Sequence, residues 1–380
     1  WGITGNDRIG NYIYEQTYNA NLDYVLGNDI NVGGVALTGL SNPNIRWEEV
    51  EQFDIGFDAS FFKSKLQITG DYYERKSSDI LYNNFPIPST IGTTNLPAQN
   101  AASMVNKGIE LAINYRDNIG GLSYTIGGNF TKFLSNEVTG LGDGGEETIS
   151  GATIIRIGDP LRSYYGYQAV GIFQTMEEVV LAPAQFGNAN TGPGDIRYAD
   201  ISGPDGVPDG LINAEDRTII GNPYPGWLYN LNGNVRFGGF DIDILFQGVH
   251  DIDRLITGNG QYPMEDDRSN VLSYWVNRWT PEQPSEYLPR LGGQNNALNS
   301  SFYIRDASYL RLKNIEFGYT IPKKLTERIK IDRLRVFVGG QNLLTFSSVD
   351  DFDPEGARGG NGNRNAPLYK TVTFGANLKF

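Results

Sequence analysis

The stretch Phe53-Asp54-Ile55-Gly56-Phe57-Asp58-Ala59-Ser60-Phe61 decides the fold class. Its odd positions are apolar or small, and its even positions are polar or small. Successive side chains of a strand point to opposite faces, so a period of two reads as a strand dry on one side and wet on the other. Phe62-Lys63-Ser64-Lys65 then reads as a tight hairpin turn. Beyond it Leu66, Ile68, Gly70 and Tyr72 share one face, opposite Gln67, Thr69, Asp71 and Tyr73.

The pattern recurs along the chain. Ile109, Leu111, Ile113 and Tyr115 alternate with polar or small residues, and after Asn118-Ile119-Gly120-Gly121 the alternation resumes with Tyr124, Ile126, Gly128 and Phe130. Tyr229, Leu231, Gly233, Val235 and Phe237 oppose Asn230, Asn232, Asn234 and Arg236. A Gly238-Gly239 turn leads to Phe240, Ile242, Ile244 and Phe246, and the last three strands centre on 310–321, 334–344 and 372–380. This gives about nine strands plus a broken one at the start, each roughly 9–15 residues, where soluble strands run about 5–6. A tilted membrane-spanning strand needs about 9–11 residues. Short turns alternate with long connections at 136–160, 175–224, 251–307 and 346–369, the asymmetry of an outer-membrane barrel. Asn230, Asn232, Asn234 and Arg236 cannot sit against hydrocarbon, so they are expected to line a wet lumen while Leu231, Val235 and Phe237 face lipid. The expectation is an all-β, antiparallel transmembrane barrel; the competing one is a sandwich with a solvated outer face.

Composition narrows the function. The chain has 380 residues, with 31 Lys and Arg against 44 Asp and Glu, a net charge of -13. Phosphate binding needs a positive footprint, so no nucleic-acid partner is expected. Without cysteine there are no disulfides, thiolate metal sites or Cys nucleophiles. The single histidine, His250, has no nucleophile pattern beside it and reads as a plain loop or strand-end residue. Tyr 22, Phe 19 and Gly 47 are abundant although the hydrophobic share is only 39%, which suits a lipid face spread over alternate residues. The opening WGITGNDRIG carries no secretory signal, so the chain is expected to be mature, trimmed or a fragment.

Several ordered segments resemble the SusC/RagA family of TonB-linked outer-membrane transporters of Bacteroidetes. They are Asn42-Pro43-Asn44-Ile45-Arg46-Trp47-Glu48, Tyr72-Tyr73-Glu74-Arg75-Lys76-Ser77-Ser78-Asp79-Ile80-Leu81, Tyr164-Tyr165-Gly166-Tyr167 with Gly171-Ile172-Phe173-Gln174, and Gly194-Asp195-Ile196-Arg197-Tyr198. Asp216-Arg217-Thr218-Ile219-Ile220-Gly221-Asn222-Pro223, Asp306-Ala307-Ser308-Tyr309-Leu310-Arg311-Leu312-Lys313-Asn314-Ile315 and Gly340-Gln341-Asn342-Leu343-Leu344-Thr345-Phe346 continue the series. The final alternating strand, ending in Phe380, is similar to the C-terminal strand through which such barrels assemble.

The resemblance implies that residues 1–380 are the C-terminal portion of a barrel of roughly 22 strands. Its plug domain and earlier strands would lie outside this sequence, since an open sheet edge in lipid costs several kcal/mol per unpaired group, roughly speaking. It further implies a multi-pass protein of the cell outer membrane, embedded in outer-membrane lipid. TonB energises uptake through the N-terminal region, and a SusD-like surface lipoprotein captures a glycan or peptide substrate. No catalytic residues are expected. A siderophore or cobalamin receptor remains the rival transporter, and a secreted calcium-binding β-sandwich carbohydrate-binding module the rival of another class.

Three residue groups could carry chemistry. The segment from Asp205 to Asp216 places Asp205, Asp209 and Asp216 at positions 1, 5 and 12 of a calcium loop, with Gly210 at 6 and Ile212 at 8. Val207 at position 3 offers no side-chain oxygen, although Asp200 and Ser202 lie close upstream; a plain turn-forming loop is the other reading. Calcium is thus a possible ligand, and no cofactor is required. Asp350-Asp351-Phe352-Asp353-Pro354-Glu355 reads as a solvated acidic loop, with a cation or substrate contact as the alternative. Tyr164, Tyr165, Tyr167, Tyr224, Trp227, Tyr262, Trp275 and Trp279 are able to stack on sugars, to form an interfacial girdle or to pack loops, and no substrate residue follows from them.

Overall fold

A computed structural model describes residues 1–6, 14–27, 30–82, 98–142, 147–187, 190–261, 263, 271–349, 353–356 and 368–380. Ten antiparallel strands form its main sheet in chain order: β1 (Gly2–Asn6), β2 (Glu48–Phe61), β3 (Leu66–Tyr82), β4 (Gln99–Ile119), β5 (Leu122–Leu141), β6 (Trp227–Phe237), β7 (Phe240–His250), β8 (Tyr309–Thr320), β9 (Arg333–Ser347) and β10 (Thr371–Lys379). Each strand pairs with its sequence neighbours, β1 with β2 and so on to β10, leaving β1 and β10 as the two edges. No helix of the described residues is long and apolar enough to cross a membrane.

Turns and excursions alternate between the two ends. At one end β2–β3, β4–β5 and β6–β7 are joined by tight turns; at Gly238-Gly239 both residues have positive φ, 59° and 89°, which glycine adopts without cost. Pro322 and a short helix, Lys323–Thr326, begin the remaining connection at that end. At the other end lie excursions at 83–98, 142–226, 251–308 and 348–370. The separate connections expected at 136–160 and 175–224 are one excursion, because β5 continues to Leu141 and the segment between them joins a different sheet. That strand outlasts its alternating pattern because its far end leaves the zone where one face must be apolar.

The register places the expected faces. Val235 pairs with Ile242, Ile242 with Phe317, Phe317 with Val338 and Val338 with Phe374, an apolar row crossing five strands. This face is uncovered: Ile55 is 62% exposed and Phe374 is 79% exposed. A sandwich would bury such a face against a second sheet, whereas a membrane barrel leaves it to lipid. The opposite face is polar and internally bonded. Thr69 donates to Asp58 at 2.7 Å, Asn230 donates to Asn129 at 2.8 Å, and Asn234 donates to Asp243.

On both faces aromatic rings lie over glycines in the directly opposite position. Phe57 faces Gly70 and Tyr229 faces Gly248 on the apolar side; Tyr73 faces Gly108 and Phe337 faces Gly375 on the polar side. A Cβ on Gly70 would sit 2.6 Å from Phe57 Cε1, so the ring occupies the space a side chain would need.

The excursions pack on one another. Glu147–Ser150, Thr153–Arg156, Ser163–Tyr167 and Arg217–Gly221 form a four-stranded sheet. Tyr167, Ile196, Tyr198 and Ile212 from 142–226 share a buried cluster with Ile256 and Tyr303 from 251–308. The loops therefore own a hydrophobic core, which fixes them relative to each other.

Candidate functional site

Two polar constellations stand on the inner, polar face. Near the tight turns, Arg335 on β9 reaches across β8 to Asp241 on β7 and also donates to Glu316 at 2.6 Å. It passes over Gly318, where a Cβ would lie 2.6 Å from its guanidinium carbon. Asp241, Asp243 and Glu316 bring three carboxylate oxygens within 4.8 Å, the one such acidic group among the described residues. Arg335 already compensates two of the three. Period two gave each residue its face, but nothing in the sequence pairs Arg335 with a carboxylate 94 residues away.

At the excursion end, Arg311 on β8 is 2% exposed and fully engaged. It donates to Asp353 Oδ1 at 2.8 Å, Glu355 Oε2 at 2.8 Å and Thr345 Oγ1 at 2.9 Å. Lys313 and the Tyr309 hydroxyl add 3.0 Å and 2.6 Å bonds to Glu355. The solvated-loop reading of this segment is therefore corrected for Asp353 and Glu355, which fold back onto the sheet; Asp350, Asp351 and Phe352 lie outside the described residues. Burial pushes the Asp353 carboxyl up, but the Arg311 hydrogen bond, backbone N–H donors from Glu355 and Leu368 and the Arg311 charge together hold it below the usual range.

A second pair, a part-exposed arginine on a buried aspartate, fastens the excursions together. Arg290 donates to both Asp195 oxygens, at 2.7 and 2.8 Å, a bidentate arrangement. Asn296 Nδ2 and the Gly192 N–H complete the Asp195 shell at 3.0 and 2.8 Å. The hydrogen bond to Asp195 raises the Arg290 pKa against the opposing effect of burial.

The calcium-loop residues are placed as follows. Asp216 is fully buried: Oδ1 accepts from the Ile201 and Ser202 N–H groups at 2.8 and 3.2 Å, and Oδ2 accepts from Asn213 N–H at 2.8 Å. Asp209 Oδ1 accepts from Leu211 N–H at 2.9 Å, and Asp205 is exposed. The three carboxylates do not converge into a group like that at Asp241, and Asp200 caps the Asp209 and Gly210 N–H groups at 3.2 and 2.7 Å.

The aromatic residues divide by position. Tyr164, Tyr167, Trp275 and Trp279 are buried in the loop layer, and Arg217 stacks 5.4 Å from the Tyr165 ring centre. Trp227 stands at the start of β6 on the apolar parity, 4.8 Å from Phe130 and 4.3 Å from Lys132 Nζ, as an interfacial residue would. Tyr224 lines cavities below the loops, and Tyr262 lies outside the described residues. His250 ends β7, exposed, and its carbonyl accepts from Gly226 N–H at 3.1 Å.

Known proteins share this arrangement. The family described as "TonB dependent receptor-like, beta-barrel" matches residues 10–343. The TonB-dependent receptor P3 of Formosa agariphila is 31% identical over 407 residues, covering 100% of this chain and 39% of that protein. The TonB-dependent receptor SusC of Bacteroides thetaiotaomicron is 25% identical over 405 residues, covering 100% of this chain and 37% of that protein. The RagAB peptide importer in its open-open state has a chain matching at TM-score 0.78 and 25% identity, over 100% of this chain and 39% of that one. The chain thus spans less than two-fifths of the length of these relatives. The barrel fold expected from period two is borne out, and the family is one of outer-membrane receptors and transporters rather than of enzymes. With its two-faced sheet and its match over residues 10–343, the chain belongs to the TonB-dependent receptor-like β-barrel family, of the SusC/RagA kind.

Proposed function

We propose that this chain forms an arc of the barrel wall of a TonB-dependent outer-membrane importer that takes up oligosaccharides or peptides with a SusD-like surface lipoprotein. One observation carries the reading: the sheet exposes a continuous apolar face, keeps a hydrogen-bonded polar face, and sends its packed excursions to one end. A wall of this kind separates lipid from a wet passage, and the excursion end is where a lid and a solute would meet it. The remaining strands and the plug come from other parts of the protein. TonB supplies the work, so passage needs no catalytic residue and no cofactor. The similarity to the RagAB peptide importer supports the peptide part of that range.

The test is uptake of labelled oligosaccharide and peptide by cells carrying or lacking the full-length protein, each with and without TonB. Uptake requiring both components is the expected result, together with a surface lipoprotein that co-purifies in mild detergent. Uptake unchanged by either deletion would overturn the proposal.

A further inference from the structure

Two cavities of about 520 and 500 Å³ adjoin Tyr224, and their charge differs. The larger carries the carboxylates Glu137 and Asp251. In the smaller, Arg162 is the only charged residue among the described residues that line it, beside Tyr164, Tyr224, Thr153, Thr257 and Leu255. A purely cationic cavity is unexpected in a chain carrying 44 acidic residues against 31 basic ones.

Arg162 lines this cavity and is itself solvent-exposed. Its φ of 56° lies in the left-handed region, where an arginine is strained. The next residue locks that conformation: Ser163 is fully buried, and its N–H and Oγ both donate to the Pro160 carbonyl, at 3.3 and 2.8 Å. Tyr164, also buried, continues into the four-stranded sheet. The acid within the same turn, Asp159, is taken by Arg156 Nε at 2.5 Å. The Arg162 guanidinium itself has no hydrogen bond or ion pair with any described residue.

We infer that this cavity is a ligand subsite for a carboxylate, which Arg162 receives while Tyr164, Tyr224 and the Thr153 and Thr257 hydroxyls face the rest of the molecule. A planar fork of N–H donors matches a carboxylate in two parallel bonds, and an aromatic and hydroxyl wall suits the ring or backbone attached to it. The subsite rests on the importer reading, as one station on the solute's route. Its carboxylate belongs to an acidic sugar or to a peptide C-terminus.

The experiment measures binding to the full-length transporter in detergent, using trigalacturonate against maltotriose and trialanine against its C-terminal amide. The acidic member of at least one pair should bind tenfold or more tightly, by an amount that shrinks with salt. Which pair discriminates identifies the source of the carboxylate. Arg162→Gln should abolish the preference and Arg162→Lys should keep part of it. Arg162→Gly removes the charge and relieves the φ strain, so it should fold at least as well while losing the preference. No discrimination in either pair, or wild-type discrimination in Arg162→Gly, overturns the subsite. Failed uptake with discrimination intact would instead overturn the importer reading alone, and TonB-dependent uptake without discrimination would overturn the subsite alone.

Discussion

Arg311 Nη2 lies 2.8 Å from Asp353 Oδ1, tying the excursion end of β8 to the excursion that follows β9. The pair is not isolated, because Glu355, Lys313, Tyr309 and Thr345 complete its hydrogen bonds. A buried guanidinium whose three nitrogens each donate a hydrogen bond fixes geometry more than it adds net stability.

Removing one side of this network should be costly. Arg311→Met leaves Asp353 without its cation and Glu355 with Lys313 alone, and is expected to destabilise the protein by about 3–5 kcal/mol. The triple variant Arg311→Met, Asp353→Asn, Glu355→Gln should recover most of the loss. Urea unfolding of the full-length protein compares the two, and equal losses would show that charge compensation is not the cause.

The same pair predicts an acid response. The Asp353 pKa is lowered in the fold, so its contribution is complete above the ordinary carboxylate value and is lost as pH falls through the lower folded value. Protease sensitivity of the 348–370 excursion should therefore stay flat down to about pH 4 and rise below it. Asp353→Asn should show the raised sensitivity already at pH 7.

Gly318 is the saddle over which Arg335 reaches Asp241. Gly318→Val should displace the guanidinium and leave Asp241 and Glu316 facing each other uncompensated. We expect a loss of about 3–5 kcal/mol, of the size found when a part-buried pair is broken. Arg335→Met in the Gly318→Val background should cost little more, and a fully additive second loss would refute the saddle.

Asp216 is satisfied by three backbone donors, so the 205–216 loop is expected to close without calcium. Asp216→Ala should cost about 1–3 kcal/mol by leaving those N–H groups unpaired. Asp205→Ala should be near neutral. Chelation should leave the unfolding midpoint unmoved, and a midpoint raised by added calcium would restore the ion to this loop.

The strands were legible because a wall between lipid and water must alternate; Phe53–Phe61 and Tyr229–Phe237 could not be built otherwise and remain soluble on one face. Where neither face meets lipid the alternation fades, so period two marks neither the end of β5, where Val138 and Leu141 are buried, nor the short strand Ser163–Tyr167, which is covered on both sides. The ion pairs were invisible for a different reason. Asp195 meets Arg290 across 95 residues, and Asp353 meets Arg311 across 42, so local spacing holds no record of either. The calcium pattern shows what spacing leaves open: Asp216 has the right offset, and its oxygens accept from nearby N–H groups that no spacing rule names.

The rings of Tyr73 and Phe337 occupy the room that Gly108 and Gly375 leave vacant on the polar face. Bulk that would otherwise stand out from the wall is folded into its thickness. The polar face thereby carries aromatic surface that lies along the wall instead of projecting from it.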